Sequence, residues 1–203
     1  MEQKKKTKDQ ILLTALSLFL KQGYSDVSVN KISSKAGVSK GGFYHYFKSK
    51  QELLEIIMDR FFVVYVHDIL DRLNSPSLST REKIKKSFES ILPSEELMPK
   101  LLDDQAYGED NYSLLLLEGI AKFESIKIMV RNAYKLLIDK YREILYTAQK
   151  NGEIKEHLDC QLHSMKINAL REGLYTLYLL DPEIDIAEVG MKIFESFWEE
   201  IKK

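Results

Sequence analysis

Between Ser28 and Lys50 the chain reads S-V-N-K-I-S-S-K-A-G-V-S-K-G-G-F-Y-H-Y-F-K-S-K, two short helical patterns broken by a glycine. Val29, Ile32 and Ala36 recur at i, i+3 and i+7 and give the first helix one apolar face. Ser28 stands just ahead, where its hydroxyl can accept from the free backbone N–H groups of the first turn. Gly37 falls where a helix ends in a left-handed residue, a conformation that glycine adopts without a Cβ clash. Val38 returns to the core, and Ser39 caps a second helix that begins at Lys40. Helix, glycine turn and second capped helix together make a helix-turn-helix.

Gly41 and Gly42 sit in the first turn of that second helix, where each costs about 0.8–1 kcal/mol relative to alanine. A sequence that accepts this cost needs its backbone to approach something closely. Phe43 and Phe47 share one face and are expected in the core. Lys40, Gly41, Tyr44 and His45 are left on other faces: a cation, a phenol, an imidazole and bare backbone around the exposed start of a helix. DNA readers of this motif use that end for base edges, while hydroxyls and amines hold phosphates.

The run A-G-V-S-K-G-G-F-Y-H-Y-F-K-S-K, with G-Y-S-D-V-S-V-N-K-I before it, resembles the DNA-binding region of the TetR/AcrR family of bacterial transcriptional regulators. The resemblance covers residues 7–55 or so and joins many positions at fixed spacing. It implies DNA contacts from Ser28, Val29, Ser39, Lys40, Gly41, Gly42, Tyr44, His45, Tyr46 and Lys50. Many members carry histidine where this chain has Tyr46; here the order is His45-Tyr46. A phenol can still bond a phosphate oxygen, so the departure bears on which residue touches which base.

Charge is distributed to match. Residues 1–50 hold ten lysines against Glu2, Asp9 and Asp26, a balance of +7, so the remainder carries -8 to give the overall -1. A basic end on an acidic body is the electrostatic pattern of a nucleic-acid reader with a separate second domain. Hydrophobic content of 44% and charged content of 30% are ordinary for a globular chain. The lone Cys160 excludes an intramolecular disulfide and fits a reducing cytoplasm.

Lys4, Lys5, Lys6 and Lys8 followed by I-L-L-T-A-L-S-L-F-L imitate a signal peptide, but no small-x-small cleavage site follows. Thr7 and Gln10 read instead as a capping box and Gly23 as a stop, giving a helix over 7–22 with Ile11, Leu12, Ala15, Leu16 and Phe19 inward. Ser49 and Glu52 form a second capping box, launching a long helix to Leu73. Its F-F-V-V-Y-V segment (61–66) reads as helix buried on every side. Further helices are expected from Ser79 to Leu92, over 112–150 with a kink near Gly119 or Ser125, from Leu158 to Leu180, and from Asp185 to the end, with a poorly patterned piece at 95–107. The expected fold is all-α with about nine helices. A three-helix DNA-binding domain (1–52) precedes a larger helical effector-binding and dimerisation domain (53–203).

In that second domain, Leu162, Ala169, Gly173 and Leu177 share a stripe with small residues in the middle, and Ile193, Phe194, Phe197 and Trp198 lie on a broad apolar face. Both are expected at a homodimer interface, which the resemblance also implies and which suits a palindromic operator. Phe61, Tyr65, Phe88, Tyr112, Leu116, Phe123, Tyr134, Arg171 and Tyr175 are the candidate lining of a small-molecule effector site, apolar walls with few polar groups. His157, Cys160 and His163 have a metal-like spacing but would fan over about 120° of a helix, so no metal is expected. No Gly-rich nucleotide motif, H-E-x-x-H or G-x-S-x-G is present, no cofactor is expected, and no apolar run is long enough to span a membrane. These features point to a cytoplasmic, homodimeric, ligand-responsive repressor. A DNA-binding protein of the same fold with a chromosome-organising role, or a helical enzyme, is the alternative.

Overall fold

The computed structural model describes residues 2–89, 91 and 109–203, apart from a few side chains including that of Phe61. Ten α-helices are seen among them: α1 (Glu2–Gln22), α2 (Val29–Lys35), α3 (Lys40–Tyr46), α4 (Lys50–Met58), α5 (Val64–Leu73), α6 (Thr80–Glu89), α7 (Glu109–Lys122), α8 (Glu124–Lys150), α9 (Cys160–Leu180) and α10 (Ile186–Ile201). No strand occurs among the described residues; one isolated antiparallel bridge pairs Ile154 with Lys202. The all-α expectation therefore holds, while the piece expected at 95–107 lies outside the described residues.

The chain divides into two compact units, Met1–Val64 with Glu95–Val130, and Tyr65–Ser94 with Arg131–Lys203. In the first, α1 buries Ile11, Leu12, Ala15, Leu16 and Phe19, the face expected from their spacing. The helix begins at Glu2, so Thr7 lies inside it and is no cap, whereas Gly23 ends it at φ +77° as expected. The ring of Phe43 in α3 packs at a tilt on that of Phe47 with centroids 5.6 Å apart, and both are buried with Leu53, Leu54, Ile57 and Met58 of α4. Gly119 of α7 packs so tightly that a Cβ there would stand 3.2 Å from Ile126 and 3.8 Å from Leu54.

The expected continuous helix from Lys50 to Leu73 is interrupted. A π-helical turn, Asp59–Val63, separates α4 from α5. A π turn holds more residues than an α turn, which rotates the side chains that follow. Within the F-F-V-V-Y-V run Phe62 and Val66 are buried but Val64 is exposed, so burial on every side does not hold there.

In the second unit the expected capping box starts α6. Ser79 N–H donates to Glu82 Oε2 at 2.8 Å and Glu82 N–H donates to Ser79 Oγ at 3.3 Å. Asp159 caps α9 and Asp185 caps α10, each accepting at 2.9 Å from the N–H three residues on. Phe88 of α6 packs on Phe194 of α10, centroids 6.1 Å apart, and Gly190 permits the approach because a Cβ there would come within 3.0 Å of Phe88 O. Phe194, Phe197 and Ile201 are fully inside this unit.

Candidate functional site

The helix-turn-helix is built by its own local chemistry. Ser28 Oγ accepts from Lys31 N–H at 3.2 Å and Ser39 Oγ from Gly42 N–H at 3.0 Å, so both hydroxyls hold helix starts. Gly37, at φ +68°, lets Gly37 N–H reach Ser34 O and Val38 N–H reach Ser33 O, which closes the first helix. On α3, Lys40, Gly41, Tyr44 and His45 are exposed together, Gly42 and Tyr46 are half-buried, and Phe43 is inside. Val29 is half-buried at the start of α2.

The two glycines differ in reason. A Cβ on Gly42 would press on Ser39 Oγ at 3.3 Å and touch Val38 at 3.5 Å, so the capping hydroxyl would have to shift to admit a side chain there. A Cβ on Gly41 would meet only Ser39 Oγ, at 3.8 Å. Among the described residues nothing requires Gly41 to be bare, and it lies beside the exposed Lys40.

Lys50 is placed differently from the expected phosphate contact. Its ammonium donates to Tyr24 O at 2.8 Å and Val27 O at 2.7 Å and lies 4.0 Å from the centre of the Tyr24 ring. It ties the turn between α1 and α2 to the start of α4. Burial, assisted by Lys122, lowers its pKa, against the opposing pull of Glu118 and Asp26.

The same turn is held from the other side by Glu118 of α7. Its carboxylate accepts from Tyr24 N–H at 2.8 Å, Ser25 N–H at 3.2 Å and Ser25 Oγ at 2.5 Å. Burial alone would raise its pKa, but these hydrogen bonds and Lys122 prevail and hold it below the usual value. The sequence flags Glu118 only as a lone carboxylate in the apolar run L-L-L-L-E-G-I. Nothing there names Tyr24 as its partner.

The candidate effector residues fall in two groups. Tyr112, Leu116 and Phe123 belong to the first unit, where Phe123 meets the Tyr24 ring edge-on at 5.3 Å and so supports the α1–α2 turn. Tyr65, Phe88, Tyr134, Arg171 and Tyr175 belong to the second. There Arg171 Nε donates to Ser87 O at 2.8 Å, Arg171 Nη2 to Tyr65 Oη at 3.3 Å, and Tyr65 OH to Ile91 O at 2.9 Å. Tyr134 OH donates to Glu172 Oε2 at 2.9 Å; burial first and Glu172 second push its pKa far up. Tyr141 is also fully buried. Phe88 packs within the core against Phe194. A surface groove of about 710 Å³ in this unit, bordered by Leu70, Leu136, Tyr146 and Cys160, contains none of the candidate effector residues.

Of the expected dimer face, Leu162 and Leu177 are 58% and 55% exposed, Ala169 and Gly173 are open, and a Cβ on Gly173 would meet no atom within 4 Å. Ile193 and Trp198 are half-buried. Phe194 and Phe197 must be removed from this face, because α10 turns them into the core of its own unit. Around α9, Cys160 Sγ donates to Gln149 Oε1 at 3.7 Å, while His163 Nδ1 is 2.8 Å from Asp159 O and its Nε2 is 3.5 Å from Glu200. No helix among the described residues is long and apolar enough to cross a membrane.

Comparison with known proteins places this geometry. The profile of bacterial regulatory proteins, tetR family, matches residues 11–57, the stretch from the core of α1 to α4. The Transposon Tn10 TetC protein of Escherichia coli is 33% identical over 104 residues, covering 47% of this chain and 53% of that protein. The HTH-type transcriptional repressor NemR of Escherichia coli is 28% identical over 86 residues, 42% of this chain and 43% of the repressor. The chain thus spans about half the length of these relatives. A crystal structure described as a transcriptional regulator from Saccharomonospora viridis, in complex with choline, superposes with a TM-score of 0.75 at 23% identity, over 98% of this chain and 99% of that one. The helix-turn-helix of this chain is therefore similar to that of bacterial regulatory proteins of the tetR family, and its fold matches a solved structure along nearly its whole length.

Proposed function

We propose that the chain is a cytoplasmic, homodimeric transcriptional repressor that leaves a palindromic DNA operator when a small, largely apolar molecule binds its second domain. The observation that carries the DNA reading is the outer face of α3, where Lys40, Gly41, Tyr44 and His45 are exposed together on a helix whose other side is fixed by Phe43 and Phe47. A basic N-terminal segment supplies the sequence-independent attraction to phosphates. The exposed stripe on α9 supports pairing of two copies, which would set two recognition helices against two half-sites. The repressor named among the relatives and the choline bound to the structural neighbour support the regulatory and ligand-binding parts.

The test is selection of bound sequences from a random DNA pool with wild-type protein and with Lys40→Ala. The expected result is an inverted repeat for the wild type. For the variant, binding weakens by about 1–3 kcal/mol and the preference at one or two base pairs per half-site relaxes. Enrichment without any repeat, or an identical preference for both proteins, would set this reading aside in favour of a non-specific or differently oriented DNA binder.

A further inference from the structure

Arg171 sits in the interior of α9 with 1% of its surface exposed. Buried guanidinium groups are usually paired with a carboxylate, because a charge removed from water is costly unless it is compensated. Arg171 has no such pair among the described residues. Its Nε is spent on Ser87 O and its Nη2 on Tyr65 Oη, while Nη1 has no hydrogen-bond partner. Glu172, the nearest acid in sequence, directs its carboxylate to Tyr134 OH instead. Tyr65 OH is committed to Ile91 O.

A second unsatisfied group stands with it. Tyr141 is 0% exposed, and its hydroxyl also lacks a partner. The bonds of Tyr134 to Glu172 and of Arg142 to Gln161 lay α8, which carries Tyr141, along α9. Burial works to lower the Arg171 pKa, and Tyr141 is foremost among the neighbours that act the other way, ahead of Tyr65 and Glu172. Buried polar groups without partners are rare in native structures. A water could satisfy the two donors but would add no charge to the partial compensation that Glu172 gives from beyond ion-pair distance. An anion answers both defects. Around the pair, Ile167 and Leu174 lie one turn either side of Arg171 on α9 and are buried.

We infer that Arg171 Nη1 and the Tyr141 hydroxyl receive the anionic head, a carboxylate or similar oxyanion, of an amphiphilic small molecule whose body is apolar. This deepens the effector-binding part of the proposed function and rests on it. The oxyanion accepts from Nη1 and from the phenol, its charge neutralises the guanidinium, and the bonds to Ser87 O and Tyr65 Oη hold the guanidinium in position beforehand.

The full chain is titrated at constant ionic strength with octanoate, phenylacetate and salicylate, and with octanamide, phenylacetamide and salicylamide, which keep each shape but carry no charge. Thermal midpoint and release of the selected operator are read together. At least one carboxylate is expected to bind roughly tenfold or more tighter than its amide. Arg171→Met is expected to erase that preference while circular dichroism shows an intact helical chain. If Arg171→Met does not fold, Arg171→Lys takes its place, and it should keep the order of carboxylate over amide at lower affinity. Equal binding within every pair, no binding by any carboxylate, or a preference unchanged in the Arg171 variant overturns the anion assignment. Operator release by the amides as readily as by the acids would leave the ligand-responsive reading standing without this site. Arg171-dependent carboxylate binding with no effect on operator would do the reverse.

Discussion

Glu118, near the end of α7, accepts the backbone N–H of Tyr24 at 2.8 Å across 94 residues of sequence. Its other oxygen takes both the N–H and the hydroxyl of Ser25. On the opposite side of the same turn the Lys50 ammonium holds the carbonyls of Tyr24 and Val27. The loop that delivers the chain from α1 into α2 is therefore pinned through its donors by an acid and through its acceptors by a base. That loop sets where the helix-turn-helix begins.

Replacing Glu118 by alanine removes a charged acceptor from three donors. Hydrogen bonds to charged groups contribute about 1.5–3 kcal/mol each, and part of that is recovered when water reaches the turn, so a net loss of about 1–3 kcal/mol is expected. Chemical denaturation of wild type and Glu118→Ala measures it. Coincident curves would show the turn to be self-supporting.

The same carboxylate predicts a pH dependence. Its hydrogen bonds hold the folded pKa below the ordinary value of 4.5, so the folded state favours the ionised form. Its stabilising contribution is complete above 4.5 and fades as the pH falls through the lowered folded value. Glu118→Gln, which cannot ionise, should therefore be less stable than wild type at pH 7 and approach it as the solution is acidified below that range. A gap between the two proteins that stays constant from pH 7 to acid would exclude ionisation as the source.

For Lys50, the bonds to two carbonyls predict a structural effect in place of a phosphate contact. Lys50→Met keeps the apolar stem but loses both bonds and the cation over the Tyr24 ring. It should lower stability by about 1–3 kcal/mol and leave the slope of log affinity against log salt unchanged. A slope reduced by about one unit with stability intact would return Lys50 to the phosphate backbone.

Gly173 tests the dimer. In the protomer a Cβ at this position has open space, so leucine there should not strain the monomer and should favour the helix by roughly 0.5–1 kcal/mol. If α9 pairs closely with its symmetry mate, the same leucine must wedge the two helices apart. Sedimentation equilibrium should therefore show Gly173→Leu dissociating at concentrations where wild type is dimeric, with an unchanged or higher melting point for the separated chain. A dimer of undiminished affinity would place the interface elsewhere.

What the sequence determined by itself was most of what acts within one turn of backbone, with the cap read at Thr7 and the π turn at Asp59–Val63 as the exceptions. Ser28, Ser39, Ser49, Ser79 and Asp185 each cap the helix that follows them, because the acceptor and the N–H it serves are three residues apart and need no other part of the fold. Gly37 is left-handed for a reason equally local. The inward face of α1 follows from a periodicity that any covering surface would satisfy. Tertiary structure decided which surface does the covering and where long polar side chains end. The face of α10 is legible as apolar, but only packing against α6 and α9 puts Phe194 and Phe197 inside their own unit and leaves the open stripe on the far side of α9. Lys50, Glu118 and Arg171 each carry a charge on a flexible stem, and sequence gives the charge without its partner. Glu118 met the backbone at Tyr24 and Lys50 the carbonyls of the same turn, while Arg171 was carried into the core with one nitrogen unmet. A charge finds its partner across space, and the distance along the chain, 94 residues for Glu118 and 84 for Arg171 and Ser87, leaves no local trace.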